Sequence, residues 1–169
     1  MKFPRVVVWA FDDWLANQLR EAVTERKWVL QSVRTHAEWA KATGARGPCV
    51  VVVQADPTGE SEKQLTEVGE LHRTNPDADV VVVCDVKLND EDRPPWTAAA
   101  LDLGARLVLY PPLTQTVLED AVVGLMERRT GVRERPVRTS PPPSPQTPPL
   151  VGKEVEEEID LAAGDFEAE

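Results

Sequence analysis

The 169-residue chain lacks several features that would assign it to a common functional class. It has no apolar run near the roughly 20 residues that cross a bilayer, and its opening residues, MKFPRVVVWAF, are too short and strand-like for a signal peptide. We therefore expect a cytoplasmic protein without membrane insertion. The net charge of −10, with no extended Lys/Arg face, argues against nucleic acid, whose phosphates would be repelled. Protein partners are the better expectation.

Ligands for metal and redox chemistry are also scarce, with two cysteines and two histidines. Cys49 and Cys84 each lie inside an apolar run, without CxxC spacing, which predicts buried, reduced thiols. His36 and His72 lie in polar, helical stretches and are expected at the surface. No glycine-rich loop follows the first apolar run, in AFDDWLA, so a nucleotide-phosphate site is not expected. We predict neither a metal nor a cofactor.

Composition changes sharply near residue 130. Residues 136–149 contain seven prolines mixed with Ser, Thr and Gln, a sequence that favours extended polyproline II and cannot build a core. Residues 153–169 carry eight acidic side chains against one Lys. We therefore divide the chain into a folded domain at 1–129, an Arg-rich and then Pro-rich disordered linker at 130–152, and an acidic tail at 153–169.

The acidic tail contains a narrow apolar stripe. Val155, Ile159, Ala162 and Phe166 recur with helical spacing. Like charges and a backbone entropy cost of about 1–2 kcal/mol per residue predict that the tail is disordered on its own. We expect it to form a short helix or linear motif in a partner's groove through Ile159, Leu161 and Phe166. A purely solubilising role is the alternative.

Within residues 1–129, short β-branched runs alternate with helical patterns. Five runs predict strands: RVVVWA (5–10), VLQSV (29–33), CVVVV (49–53), VVVVC (80–84) and RLVLY (106–110). Three of these are apolar on both faces, as a parallel sheet between two helical layers requires, and the second is polar enough for an edge. Right-handed crossovers then predict a doubly wound (βα)5 domain with a flavodoxin-like strand order, 2-1-3-4-5.

The first and last helices each show an apolar face that should pack on this sheet. In the first helix the face consists of Leu15, Leu19, Ala22 and Val23. In the last helix it is predicted to consist of Val117, Ala121, Val122, Leu125 and Met126. Ligands of such sheets bind in the crevice at the carboxyl ends of the strands, so the functional site is expected there.

Two stretches carry a resemblance to a known family. NPDADVVVVCD (75–85) and AALDLGARLVLYPPLTQTVLEDAV (99–122) resemble the second half of a response-regulator receiver domain, including the Leu-x-x-Gly-Ala turn and the strand, proline and helix that end the domain. The likeness covers about residues 3–128. It implies a crevice with two Mg²⁺-binding acids after strand 1, a phospho-accepting Asp after strand 3, a Ser or Thr after strand 4, and a Lys before the proline after strand 5.

Positional matching, with the register fixed by the apolar face of the first helix, finds different residues at these positions. The proline is kept as Pro112. Ala10 and Phe11 replace the acidic pair, and Gln54 replaces the phospho-accepting Asp. Cys84 replaces the Ser or Thr, Val108 replaces a switching aromatic, and Pro111 replaces the Lys. The resemblance therefore predicts a degenerate member of the family, a pseudo-receiver that is not an enzyme.

A second register keeps part of the acidic site. If strands 1 and 3 slide outward by two residues, the three acidic positions are taken by Asp12, Asp13 and Asp56. This register places Asn17 and Arg20 on the buried face of the first helix and Gln54 inside a buried strand, which is costly for polar groups without partners. The first register is favoured on packing grounds. The alternative is a divergent receiver phosphorylated on Asp56, with Asp12 and Asp13 binding Mg²⁺.

Aromatic residues are expected around the crevice. Trp14 and Trp96 begin the helices that follow strands 1 and 4, and with Phe11 and Pro111 they would form an apolar rim. This rim has two interpretations: it binds a partner's side chain, or it only fills the crevice by packing. The resemblance also points to a binding face formed by the fourth helix, fifth strand and fifth helix, with Trp96 as its anchor, and homodimerisation stays open. We predict a phosphorylation-independent interaction or scaffold module in bacterial signalling, polarity or motility.

Overall fold

The computed structural model describes residues 3–57 and 61–131. Strands and helices alternate along this part of the chain. The strands are β1 (Arg5–Trp9), β2 (Val29–Val33), β3 (Cys49–Ala55), β4 (Ala78–Cys84) and β5 (Ala105–Leu109). The helices are α1 (Trp14–Glu25), α2 (His36–Thr43), α3 (Ser61–Thr74), α4 (Arg93–Asp102) and α5 (Gln115–Thr130). Residues 132–152 of the predicted linker and the acidic tail at 153–169 lie outside the described residues.

The five strands form one parallel sheet in the order β2-β1-β3-β4-β5, which confirms the predicted fold class. Every residue of β3 and β4 is buried, because these strands lie inside the sheet with helices on both faces. The edge strand β2 exposes Val29 and Ser32, as its more polar sequence predicted. Within residues 3–57 and 61–131, no helix combines the length and hydropathy that a membrane span requires.

Alternate side chains of the strands supply two separate cores. One lies under α1 and α5 and the other under α2, α3 and α4. The predicted buried face of α1 is confirmed, since Leu15, Leu19, Ala22 and Val23 are all buried. The predicted face of α5 was wrong at Val117, which is 45% exposed, and Ala121 is only half-buried. The buried set is Leu118, Val122, Leu125 and Met126, whose i, i+4, i+7 and i+8 spacing forms a narrower stripe.

Local sequence signals fix several ends of these elements. Thr35 and Glu38 form a reciprocal capping box that starts α2. The Thr114 side chain accepts a hydrogen bond from a backbone N–H in the first turn of α5. Gly104, in the Leu-x-x-Gly-Ala turn, has a φ of 103°, and an added Cβ would collide with the His72 side chain. Only glycine fits this turn between α4 and β5.

A buried carboxylate fastens the end of α5 to the sheet. Asp79 in β4 accepts hydrogen bonds from Arg129 Nε at 2.7 Å and Nη2 at 2.9 Å, and from Arg106 Nε at 3.2 Å. Burial raises the pKa of Asp79, but the hydrogen bonds and charges of the two arginines outweigh burial and hold this pKa below its ordinary value. The ionised carboxylate therefore contributes to stability.

Replacing Asp79 with Asn should lower the free energy of unfolding by about 2 kcal/mol at pH 7, because charge-assisted hydrogen bonds are lost. Since folding lowers the Asp79 pKa below 3.8, the contribution is present above that pH and is lost as the pH falls through the pKa of the folded protein. Urea unfolding should show the two proteins converging below about pH 4.

The matched control for Asp79→Asn is Asp77→Asn. The Asp77 side chain is 87% exposed and lies 3.5 Å from the same Arg129. Its loss should change the free energy of unfolding by less than about 0.5 kcal/mol, as is usual for exposed ion pairs. Equal destabilisation by the two substitutions would contradict the role given to Asp79.

Candidate functional site at the carboxyl end of the sheet

The crevice at the carboxyl end of the sheet contains one buried amide, that of Gln54. The sequence ended the third strand at Val53, and this boundary was wrong, because β3 continues through Gln54 and Ala55 in register with Val83 and Cys84 of β4. Gln54 is 4% exposed. It thus lies in the buried end of a central strand, next to the first residues that follow β1.

Both ends of the Gln54 amide are hydrogen bonded. The Phe11 backbone N–H donates to Gln54 Oε1 at 2.9 Å, and Gln54 Nε2 donates to Asp85 Oδ2 at 3.0 Å. The side chain therefore bridges the segments that follow β1 and β4, across the end of β3. A buried Gln54 was expected to destabilise the fold if its amide had no partners. These two hydrogen bonds offset that desolvation cost.

The two residues after β1 have opposite surroundings. Ala10 is 4% exposed and packs in the core under α1 and α5. Phe11 is 59% exposed. The Phe11 backbone is thus held by Gln54, while its side chain is mostly exposed.

The acidic residues before α1 make local contacts. Asp12 Oδ1 accepts from the Trp14 backbone N–H at 3.3 Å, and Asp13 Oδ2 lies 2.8 Å from Arg34 Nη2. The hydrogen bond of Asp13 raises the pKa of Arg34. Asp13 occupies the position before the helix but makes no capping bond with its side chain. Asp12 therefore makes a contact typical of a helix start, whereas Asp13 pairs with Arg34.

Asp56 follows β3 and lies close enough to Cys84 for its charge to raise the pKa of that thiol. In the part of the chain that the structure describes, no three His, Cys, Asp or Glu side chains are grouped as metal ligands. His36 is exposed and pairs with Glu67, with 2.8 Å between His36 Nδ1 and Glu67 Oε1. His72 is exposed as well, as the sequence predicted.

The residue at the end of β4 is a buried thiol. Burial, followed by the charges of Asp85 and Asp56, raises the pKa of Cys84 to about 12, although Arg93 partly opposes the shift. Burial likewise raises the pKa of Cys49 to about 11. Both cysteines are free and buried. A thiol that stays protonated at neutral pH is a poor nucleophile, so Cys84 is unsuited to thiolate chemistry.

A tyrosine that the sequence reasoning missed links β5 to α4. The Tyr110 hydroxyl lies 2.6 Å from Thr97 Oγ1 and donates to the Arg93 carbonyl at 3.3 Å. The Arg93 guanidinium lies 4.6 Å from the centre of the Tyr110 ring. The Trp96 and Tyr110 rings pack edge to face, with 6.3 Å between their centres. The available signal was an aromatic residue directly before the Pro pair, two residues after Val108.

The remaining positions named from the sequence are Val108, Pro111, Trp96 and Trp14. Val108 packs on the core under α2, α3 and α4, while Pro111 is half-buried beyond β5. Trp96 packs on that same core and Trp14 on the other one. Trp96 is half-buried, since its ring packs on that core and on Tyr110. Substitution of Trp96 will therefore affect stability along with any surface role.

Replacing Gln54 with Glu should lower the free energy of unfolding by about 2 kcal/mol at pH 7, because a buried carboxylate would face Asp85. Burial and this like charge should raise the pKa of the introduced carboxyl group in the folded state. The penalty is therefore present above that pKa and disappears as the pH falls towards about 4. Urea unfolding from pH 7 to pH 4 measures the effect.

The control for Gln54→Glu is Gln54→Met, which has a similar length and no charge. It removes both hydrogen bonds and should cost a similar amount at every pH, since no titrating group is added. A Gln54→Glu variant with the stability of the wild type at pH 7, or with a penalty independent of pH, would show that Gln54 does not bridge Phe11 and Asp85.

Comparisons with known proteins identify the fold. No family model matches the chain, and no curated protein matches it in sequence. The orphan response regulator HP1043 of H. pylori is 14% identical with a TM-score of 0.58, over 73% of this chain and 96% of that one. A Thermotoga maritima response regulator is 17% identical with a TM-score of 0.60, over 75% and 99%.

The beryllofluoride-activated NtrC4 receiver domain dimer is also similar, with 18% identity and a TM-score of 0.59, over 74% of this chain and 98% of that one. Many further solved structures of this kind match the chain. The predicted likeness to receiver domains is confirmed at the level of the fold. Sequence identities this low support a shared fold and do not establish a shared function.

Proposed function

We propose that this receiver-like domain is a pseudo-receiver, a protein-binding module in bacterial signalling that works without phosphorylation. The observation that supports the proposal is the Gln54 amide, which is hydrogen bonded at both ends and which the favoured register assigns to the acceptor position. A carboxamide is a far weaker nucleophile than a carboxylate, and its bonds to Phe11 and Asp85 bridge the crevice. A phosphoryl group would have to break that bridge.

The other positions support the same proposal. Pro111 supplies no charge where the resemblance implies a Lys that neutralises the phosphoryl oxygens. Cys84 is a free thiol where the resemblance implies the hydroxyl of a Ser or Thr. The Asp12 and Asp13 carboxylates are engaged by the Trp14 backbone and by Arg34. We infer a binding or scaffold role rather than catalysis.

Two surfaces are proposed for partners in the cytoplasm. One is the α4-β5-α5 face, where β5 is an edge strand and Leu101 on α4 is 44% exposed. Trp96 contributes to this region through its packing on Tyr110. The other is the acidic tail, with Ile159, Leu161 and Phe166 as anchors; the tail lies outside the described residues. Two binding surfaces separated by a proline-rich linker suit a scaffold.

Incubation with Mg²⁺ and acetyl phosphate should leave the intact mass of the protein unchanged, because the acceptor carboxylate and the Lys are missing from the favoured register. A phosphorylatable receiver domain treated in parallel serves as the positive control. Proteins captured from the native cell extract should be the same with and without acetyl phosphate. Beryllofluoride with Mg²⁺ should likewise leave the amide NMR spectrum unchanged.

The alternative, a divergent receiver phosphorylated on Asp56 with Mg²⁺ on Asp12 and Asp13, makes the opposite prediction. A mass increase of one phosphoryl group that disappears in Asp56→Asn would establish it and overturn the pseudo-receiver proposal. The same increase in Asp56→Asn would place the modification elsewhere in the chain and would also overturn it.

A further inference from the structure

Two large aromatic side chains lie exposed at opposite ends of β1. Phe3, before the strand, is 65% exposed, and Phe11, after it, is 59% exposed. Phe11 lies at the candidate site, whereas Phe3 lies at the amino end of the sheet. An exposed aromatic ring at a functional crevice is informative because its apolar surface remains in water until something covers it.

The backbone that carries the Phe11 ring is fixed on both sides. Ala10 is buried in the core, and the Phe11 N–H is bonded to Gln54 Oε1. Downstream, Asp12 accepts from the Trp14 N–H at the start of α1, and the Trp14 ring packs on the core. A partner that covers the Phe11 ring therefore has little backbone entropy to remove, which favours such a side chain as an interface anchor.

Several carboxylates lie near the Phe11 backbone. Asp12 and Asp13 follow it directly, and Asp85 is joined to the Phe11 backbone through the Gln54 amide. The charges of Asp85 and Asp56 both raise the pKa of the Cys84 thiol, so both carboxylates lie near the end of β4. Two cations also lie at this end of the sheet: Arg34, which pairs with Asp13, and Arg93, which lies over the Tyr110 ring. Asp12, next to Phe11 in the chain, and Asp85, joined to its backbone through Gln54, make these surroundings acidic.

The loop before α4 adds negative charge to the same end of the sheet. It carries Asp90, Glu91 and Asp92, all exposed, against Lys87. An acidic partner would be repelled at this end, whereas a basic one would be attracted over a Debye length of about 8 Å at physiological salt.

We propose that Phe11 is the anchor of a protein-docking surface at the carboxyl end of the sheet, and that this surface takes a partner segment with Lys or Arg beside an apolar side chain. The inference rests on the proposed binding function and adds a site distinct from the α4-β5-α5 face and the tail. The partner's apolar group covers the Phe11 ring, while its cations approach Asp12 and the neighbouring carboxylates.

Selection of a random phage-displayed peptide library on the full-length protein tests the proposal. Recovered peptides should carry Lys or Arg next to an aromatic or aliphatic residue. Fluorescence anisotropy with the synthetic peptides should show binding that is about tenfold weaker in Phe11→Ser, because the anchor is lost. Binding should also weaken as NaCl is added. Circular dichroism should show an unchanged fold, since the ring is exposed.

Two matched variants sharpen the test. Phe3→Ser removes an equally exposed ring at the other end of β1 and should change the dissociation constant less than about twofold. Asp12→Asn keeps an oxygen acceptor for the Trp14 N–H while removing the charge, and should weaken binding about threefold. Acidic peptides, equal losses in Phe3→Ser and Phe11→Ser, or no peptide dependent on Phe11 would overturn the docking site. Phosphorylation on Asp56 would instead overturn the proposed function and is read separately by mass.

Discussion

The two hydrogen bonds of the Gln54 side chain are the constraint on which the candidate site depends. Its oxygen accepts from the Phe11 N–H and its nitrogen donates to Asp85, so the segments beyond β1 and β4 are held against the end of β3. In the register that we propose, Gln54 takes the position of the phospho-accepting residue that the resemblance to receiver domains implies. It also orients the chain after β1, with Ala10 in the core and the Phe11 ring in solvent.

The rest of the domain supplies a rigid frame for that bridge. The fully buried strands β3 and β4 form the centre of the sheet. At the amino end, Asp79 ties Arg106 and Arg129 together and so fastens α5 to the sheet. At the carboxyl end, the Tyr110 hydroxyl bonds α4 to the residue after β5. The fold is thus receiver-like, and at the carboxyl end of its sheet the Gln54 and Tyr110 side chains are hydrogen bonded to neighbouring segments.

Most of the fold was predictable because valine-rich strands and amphipathic helices leave periodic signals. The parallel order followed from doubly apolar strands, and the α1 face from Leu15 and Leu19. Periodicity does not encode which polar atoms meet across neighbouring strands, so the partners of Gln54 and Tyr110 were missed. The contacts of the candidate positions could therefore not be predicted from the sequence. The error at Val117 was avoidable, because Leu118 has the i, i+4, i+7 and i+8 spacing with Val122, Leu125 and Met126 that a helical face requires.

Hydrogen exchange of the Phe11 amide tests the central claim most directly, because this N–H lies outside every strand and helix and has the Gln54 side chain as its partner. In the wild type it should exchange slowly, with protection similar to that of the neighbouring β1 amides. In Gln54→Met the Phe11 amide should lose that protection while amides in the middle of β3 and β4 keep theirs. Rapid exchange of the Phe11 amide in the wild type would contradict the account.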